Sequence, residues 1–157
     1  MPQATLSELL EKEHHEIDAG IEQFTAAATS GGSPTEPLLQ ALAALRRHIY
    51  LEEEFVFPPL RAAGMVPPVF VMLREHGEIW TTMDAIVAEL AGGLGPEATV
   101  ATCQRLLEQL QAHNAKEEPI IYPQADAVLD GDSQERLRAF VASGEMPEGW
   151  VAERARG

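Results

Sequence analysis

The chain has 157 residues, 45% hydrophobic and 23% charged, which suits one domain with a substantial core and is too short for two ordinary ones. Lys and Arg total 11 against 25 Asp and Glu, and the formal charge of −14 argues against phosphate backbones and anionic membrane surfaces as partners. With one cysteine, Cys103, neither a disulfide framework, a thiolate zinc site nor a cysteine-ligated cluster can be built within the chain, so any metal must be held by nitrogen and oxygen.

In chain order, Thr5-Leu6-Ser7-Glu8 has the form of a capping box. Behind it Leu6, Leu10, His14, Ile17, Ile21 and Phe24 recur at helical spacing until Gly31-Gly32. Ser33-Pro34-Thr35-Glu36 reads as a second capping box with proline just inside the start. Leu38, Ala41, Leu45, His48, Leu51, Glu52 and Phe55 then run toward Pro58-Pro59, where the second helix should end or kink, with Gly64 as its stop. Pro67-Pro68 opens a third pattern of Val69, Met72, Leu73, His76, Ile79, Trp80, Met83, Ile86 and Leu90, closed by Gly92-Gly93. After Pro96 a fourth carries Leu106, Leu110, His113, Glu117 and Ile120, with Pro119 and Pro123 expected to kink or end it. A short amphipathic helix from Ser133 to about Ala142 and a Gly/Pro-containing tail with Trp150 follow.

No segment alternates with period two as a half-buried strand does. The expected fold is therefore all-α, an up-down-up-down four-helix bundle over residues 1–130, with residues 131–157 as a C-terminal extension of short helix plus tail. Met1-Pro2-Gln3-Ala4-Thr5-Leu6 has neither a basic nor an apolar leader region, and no window reaches membrane-spanning length, so the expected location is cytoplasmic.

Two motifs each occur twice. Glu13-His14-His15-Glu16-Ile17 is matched by Glu75-His76-Gly77-Glu78-Ile79. His48-Ile49-Tyr50-Leu51-Glu52-Glu53, closing on Phe57-Pro58, is matched by His113-Asn114-Ala115-Lys116-Glu117-Glu118, closing on Tyr122-Pro123. Residues four apart in a helix lie one above the other, so His48 with Glu52 and His113 with Glu117 are two-pronged clamps. His14, His48, His76 and His113 each fall on the apolar stripe of their helix, which in a bundle points them inward together with Glu52 and Glu117. Two buried carboxylates cost several kcal/mol unless cations neutralise them. The pattern places no Lys or Arg to pair with both, since Lys116 adjoins Glu117 on one helix only.

If each half supplies one ion's histidines, His14 and His48 hold one metal, His76 and His113 the other, and Glu52 and Glu117 bridge. Imidazole with carboxylate suits iron and leaves manganese and zinc open. A lone histidine on an apolar face is more often core packing, but four of the five histidines in two matched motif pairs are not explained that way. His15 points about 100° away from His14 and belongs on the surface. Glu53 and Glu118 read as solvated groups or as hydrogen-bond acceptors behind the ligands. Cys103, Trp80, Met72 and Met83 read as core, the last three spaced so that they could also line a ligand pocket.

At these residues, from about Leu6 to Pro123, the chain resembles the hemerythrin-like, or HHE cation-binding, family, whose members are four-helix bundles with a non-haem diiron centre. The resemblance implies His14, His48, Glu52, His76, His113 and Glu117 as ligands, with the two glutamates bridging. The ferritin-like alternative needs two Glu-x-x-His motifs, and only Glu11 with His14 fits one. Oxygen-carrying hemerythrins have another histidine where Trp80 stands and a more widely spaced aspartate in place of Glu117. The set here is more similar to iron-centre repair proteins and iron-sensing domains.

The expected function is to bind, sense or turn over a small oxidant (dioxygen, nitric oxide or peroxide) at two iron ions, with weak peroxidase, catalase-like or nitric oxide-reducing activity as one form of it. The alternatives are an iron-dependent sensing module and a metal-free helical interaction protein. The acidic surface and the Trp150 tail could serve an interface under any of them, a homodimer included.

Overall fold

The computed structural model describes residues 3–29, 35–93 and 95–156, and is helical with no strand among them. Helix α1 spans Leu6–Thr29. Its start is capped twice: Thr5 Oγ1 accepts the Glu8 N–H at 3.1 Å, and the Asp126 carboxylate accepts the N–H groups of Leu6 and Ser7 at 2.9 and 3.3 Å. Helix α2 runs Glu36–Leu51 with Pro37 in its first turn. Its N-cap is Thr35, within the expected capping box, and the Thr35 side chain makes no cap bond. Ser33, Pro34 and the Gly31-Gly32 stop lie outside the described residues.

The helical path does not break at Pro58. Glu52–Val56 form a wider, π-helical turn in which the Phe57 N–H bonds the Glu52 carbonyl, and α3 (Phe57–Ala62) continues to Gly64, whose φ of +100° ends it. Helix α4 spans Val66–Ala91, and Gly93 with φ +72° follows its last turn. Helix α5 (Pro96–Lys116) repeats the device of α2. A π-turn at Glu117–Ile121, closed by the Tyr122 N–H on the Glu117 carbonyl, leads into α6 (Tyr122–Val128). A proline lacks the N–H and its ring crowds the carbonyl four residues back, so the extra residue of a π-turn is accommodated beside Pro58 and Pro123, where the ladder is already interrupted. Helix α7 (Gly131–Ser143) is capped by Asp130, which accepts the Ser133 N–H at 2.8 Å.

In the bundle, α1 packs on α2 and α5, and α4 packs on α5. The apolar interior is two clusters. One contains Ile17, Ile21, Phe24, Leu45, Ile49, Ile79, Trp80, Met83, Leu106 and Leu110. The other contains Leu6, Leu10, Leu51, Phe57, Met72, Leu73, Ile121, Tyr122, Leu137 and Phe140. On every long helix the histidine marks the border: His14 lies between Leu10 and Ile17, and His76 between Leu73 and Ile79. A polar layer thus divides the core across the bundle. Cys103 is fully buried and its thiol is pushed up to about 12 by that burial and by Glu89.

The C-terminal residues are not a loose tail. Leu137 and Phe140 of α7 complete the second cluster, and Arg47 of α2 binds the carbonyls of Phe140, Val141 and Gly144 at the end of α7. Residues 144–156 then bridge α2 and α4. Trp150 meets Tyr50 of α2 and Trp80 of α4 edge-on, with centroids 5.1 and 5.6 Å away, and Ala152 is fully buried. At Gly77 the strap lies directly on the helix backbone: a Cβ there would stand 2.8 Å from Arg154 Cβ and 2.9 Å from its carbonyl oxygen. The repeat puts Gly77 where the first half has His15, and His15 is exposed. Among the described residues no helix is long and apolar enough to cross a membrane.

Candidate metal centre

All six residues singled out by the repeat converge in the polar layer. His14, His48, Glu52, His76, His113 and Glu117 are each no more than 4% exposed. They form two groups that share both glutamates, His14 with His48 and His76 with His113, and in each group the candidate ligand atoms lie within 4.8 Å of one another. In the first, His14 Nε2 is 3.1 Å from His48 Nε2 and 3.2 Å from Glu117 Oε1, and His48 Nε2 is 3.3 Å from Glu52 Oε2. In the second, His76 Nε2 is 3.1 Å from Glu52 Oε1, and His113 Nε2 is 3.2 Å from Glu117 Oε2. Each glutamate therefore turns one oxygen toward each group.

Each of these four imidazoles is oriented from behind by a carboxylate, and the repeat explains the whole set. Glu13 accepts from His48 Nδ1 at 2.7 Å, and its counterpart Glu75 accepts from His113 Nδ1 at 2.8 Å. Glu53 accepts from His76 Nδ1 at 2.9 Å, and its counterpart Glu118 accepts from His14 Nδ1 at 2.7 Å. Because a carboxylate only accepts, each Nδ1 carries a proton and each Nε2 faces inward. Glu53 and Glu118 thus take the acceptor role rather than the solvated one. Glu13 and Glu75, read in the sequence only as frame residues, share it. Lys116 pairs with Glu75, not with Glu117. Glu53 has a further partner, the Glu153 N–H at 3.0 Å, so one carboxylate joins the C-terminal strap to His76.

Without a cation, protons carry the neutralising charge. Burial opposes it, but Glu52 and Glu13 hold the His48 pKa well above the ordinary imidazole range. His113 is likewise lifted to about 10, against burial, by Glu117 and Glu75, and His76 is raised by Glu52 and Glu53. Against burial and their mutual repulsion, Glu52 is lowered by His48 and His76; against burial, Glu117 is driven well down by His113 and His14. Glu75 falls to about 2, chiefly through its bond from His113 and then Lys116, with burial working the other way.

One residue in the layer was not expected from helical periodicity. The Tyr122 hydroxyl lies 2.6 Å from Glu52 Oε2, 2.9 Å from Glu117 Oε1, 2.8 Å from His14 Nε2 and 3.1 Å from His48 Nε2. At about 100° per residue Tyr122 would point roughly 140° away from Glu117. The π-turn stacks residues five apart and returns it to the same face. Its repeat counterpart Phe57 instead lays its ring on His76, with centroids 5.3 Å apart and planes at 28°. The available signal was the repeat itself, since both clamps close on an aromatic residue followed by proline.

The donor set fits cations. Glu52 Oε1, His76 Nε2, His113 Nε2 and Glu117 Oε2 are buried with no aligned hydrogen-bond partner among the described residues, although they lie close together. Native interiors leave few such atoms unsatisfied, and nitrogen and oxygen lone pairs aimed at a common point are what a metal ion requires. The cavity they line is about 10 Å³, room for roughly one water-sized occupant. Beyond the six residues its walls include Ile17, Leu45, Ile49, Ile79 and Leu110; Trp80, Met72 and Met83 are core and do not line it. Asp18 and Asn114 line both this cavity and a groove between α1 and α5, which marks the side nearest solvent.

A family model, the hemerythrin HHE cation binding domain, matches residues 5–125. No curated protein and no solved structure matches the chain.

Proposed function

The chain belongs to the hemerythrin HHE cation-binding family, and on that premise we propose that it holds two iron ions, one with His14 and His48 and one with His76 and His113, bridged by Glu52 and Glu117, and that it binds or turns over a small oxidant there. The observation that carries the reading is the set of orphaned, buried nitrogen and oxygen atoms that line one small cavity. A cavity of about 10 Å³ has no room for a larger organic substrate, and dioxygen, nitric oxide and peroxide are the small oxidants the reading takes for it. Two adjacent irons, when bound, would supply a redox pair able to share the electron change of a small oxidant.

The protein's own part is arrangement. Glu13, Glu53, Glu75 and Glu118 fix the tautomer and rotation of the four imidazoles, so that every Nε2 faces the layer before any ion arrives. The apolar clusters above and below keep bulk water away from the layer, which strengthens each charge interaction inside it. Loading must release the protons that the metal-free histidines hold. The test is metal content and the visible spectrum of anaerobically purified protein before and after exposure to air, nitric oxide and peroxide. About two irons per chain with a spectrum that responds to the oxidant are expected, and His48→Ala should lose both. Iron content and response that survive His48→Ala would overturn the proposal.

A further inference from the structure

The two metal positions are not equivalent, and the difference is one oxygen atom. Around a six-coordinate ion with bonds of about 2.1 Å, neighbouring donors stand about 3.0 Å apart. His14 Nε2, His48 Nε2, Glu52 Oε2 and Glu117 Oε1 form a ring whose measured sides, His14 to His48, His48 to Glu52 and His14 to Glu117, are 3.1, 3.3 and 3.2 Å. The Tyr122 oxygen is 2.6 to 3.1 Å from all four. Only one kind of point is a near neighbour of four such donors at once, the apex over the square they form. A hydroxyl there has one proton, yet Glu52 Oε2 and Glu117 Oε1 both lie within its reach at 2.6 and 2.9 Å, and it can donate to only one of them at a time.

Resting on the diiron reading above, we propose that Tyr122 is a fifth protein ligand, its phenol oxygen coordinating the ion held by His14, His48, Glu52 and Glu117. Coordination replaces the O–H bond with an oxygen–metal bond, and the proton leaves to solvent. That ion then has five protein donors and a single remaining position. The other, with His76, His113 and one oxygen from each glutamate, has four, because the repeat supplies Phe57 where Tyr122 would be and a phenyl ring offers no donor. The small ligand therefore goes to the His76/His113 ion, which keeps about two open positions against one for an ion of six-coordinate geometry. The hard, anionic phenolate favours the ferric state of its own ion.

The chain's two tyrosines make the test clean, since Tyr50 packs against Phe55, Phe140 and Trp150 instead. Iron-loaded, air-oxidised protein is examined for the visible phenolate-to-iron charge-transfer band and for tyrosinate ring modes in its resonance Raman spectrum. Both are expected in the native chain and in Tyr50→Phe, and both should vanish in Tyr122→Phe. Ring-deuterated tyrosine should shift the Raman modes equally in the native chain and Tyr50→Phe, which assigns them without relying on the folding of the Tyr122 variant. Native protein that holds its iron but lacks these modes overturns the ligand assignment and leaves the metal centre standing. Native protein that takes up no iron overturns both.

Discussion

Gly77→Ala is a substitution that local structure alone would score as favourable, since alanine in the middle of a helix is better than glycine by about 1 kcal/mol. The fold reverses the sign. The new Cβ would lie 2.8 Å from Arg154 Cβ and 2.9 Å from the Arg154 carbonyl oxygen, whereas a comfortable contact is about 3.5–4.0 Å. The strap must retreat by roughly 0.7 Å or more, and two anchors lie within two residues of the contact. The Glu153 N–H to Glu53 bond, at 3.0 Å, would stretch out of range at a cost of about 1–2 kcal/mol for a charge-assisted bond at a partly wet site. The fully buried Ala152 methyl would be partly uncovered, about 1 kcal/mol more. Set against the helix gain, the net is a loss of about 1–2 kcal/mol, or roughly 2–8 °C in Tm for a chain of this size. Thermal unfolding of the metal-free protein by circular dichroism reads the stability, and Trp150 emission reads the strap, since its ring sits 5.6 Å from Trp80. A Tm that rises by a few degrees with unchanged emission would refute the close packing of the strap on α4.

Two other perturbations probe the layer itself. Glu118→Ala removes the acceptor 2.7 Å from His14 Nδ1, and iron affinity measured by chelator competition should fall about 10- to 100-fold; an unchanged affinity would mean that His14 is oriented by packing alone. For the metal-free protein, His48, His76 and His113 have folded pKa values above the ordinary 6.5, that of His113 about 10, so their contribution is complete below about pH 6.5 and is lost as pH rises toward 10. Glu52 and Glu117 are lowered from 4.5, so theirs is present above that value and is lost as pH falls. Urea midpoints should therefore peak between roughly pH 4.5 and 6.5 and decline by pH 9, while iron uptake increases over the same rise; a metal-free protein more stable at pH 9 than at pH 6 would contradict the proton-bridged layer.

The helices and the six inward-facing candidate ligands are legible in the amino-acid order, because a period near 3.6 and a four-residue clamp are properties of a single helix. A histidine on an apolar stripe needs no tertiary information to be anomalous, and two matched copies of the anomaly needed only the repeat. The membership of Glu13 and Glu75 was visible in the same repeat as a fixed frame, but their role was not. Each orients a histidine on a different helix, Glu13 reaching His48 and Glu75 reaching His113, and such a pairing exists only once helices are side by side.

What the fold alone decided lies where the helix departs from its own period or meets a distant part of the chain. The prolines after Phe57 and Tyr122 announce an interruption, yet whether it becomes a break, a kink or a π-turn depends on what the next turn packs against. Here the π-turn wins in both halves because it lets Leu60 and Ala125 continue the second core cluster. It also rotates residue 122 back into the layer, where its hydroxyl meets four candidate ligands, whereas Phe57 in the matching half has no hydroxyl and lays its ring on His76. The Gly77–Arg154 contact has the same origin. A glycine within a helical pattern carries no sign in sequence of the segment 77 residues later that fills the space of its missing side chain. Periodicity fixes which face of each helix is buried, and only packing between helices determines which side chains share the space between those faces.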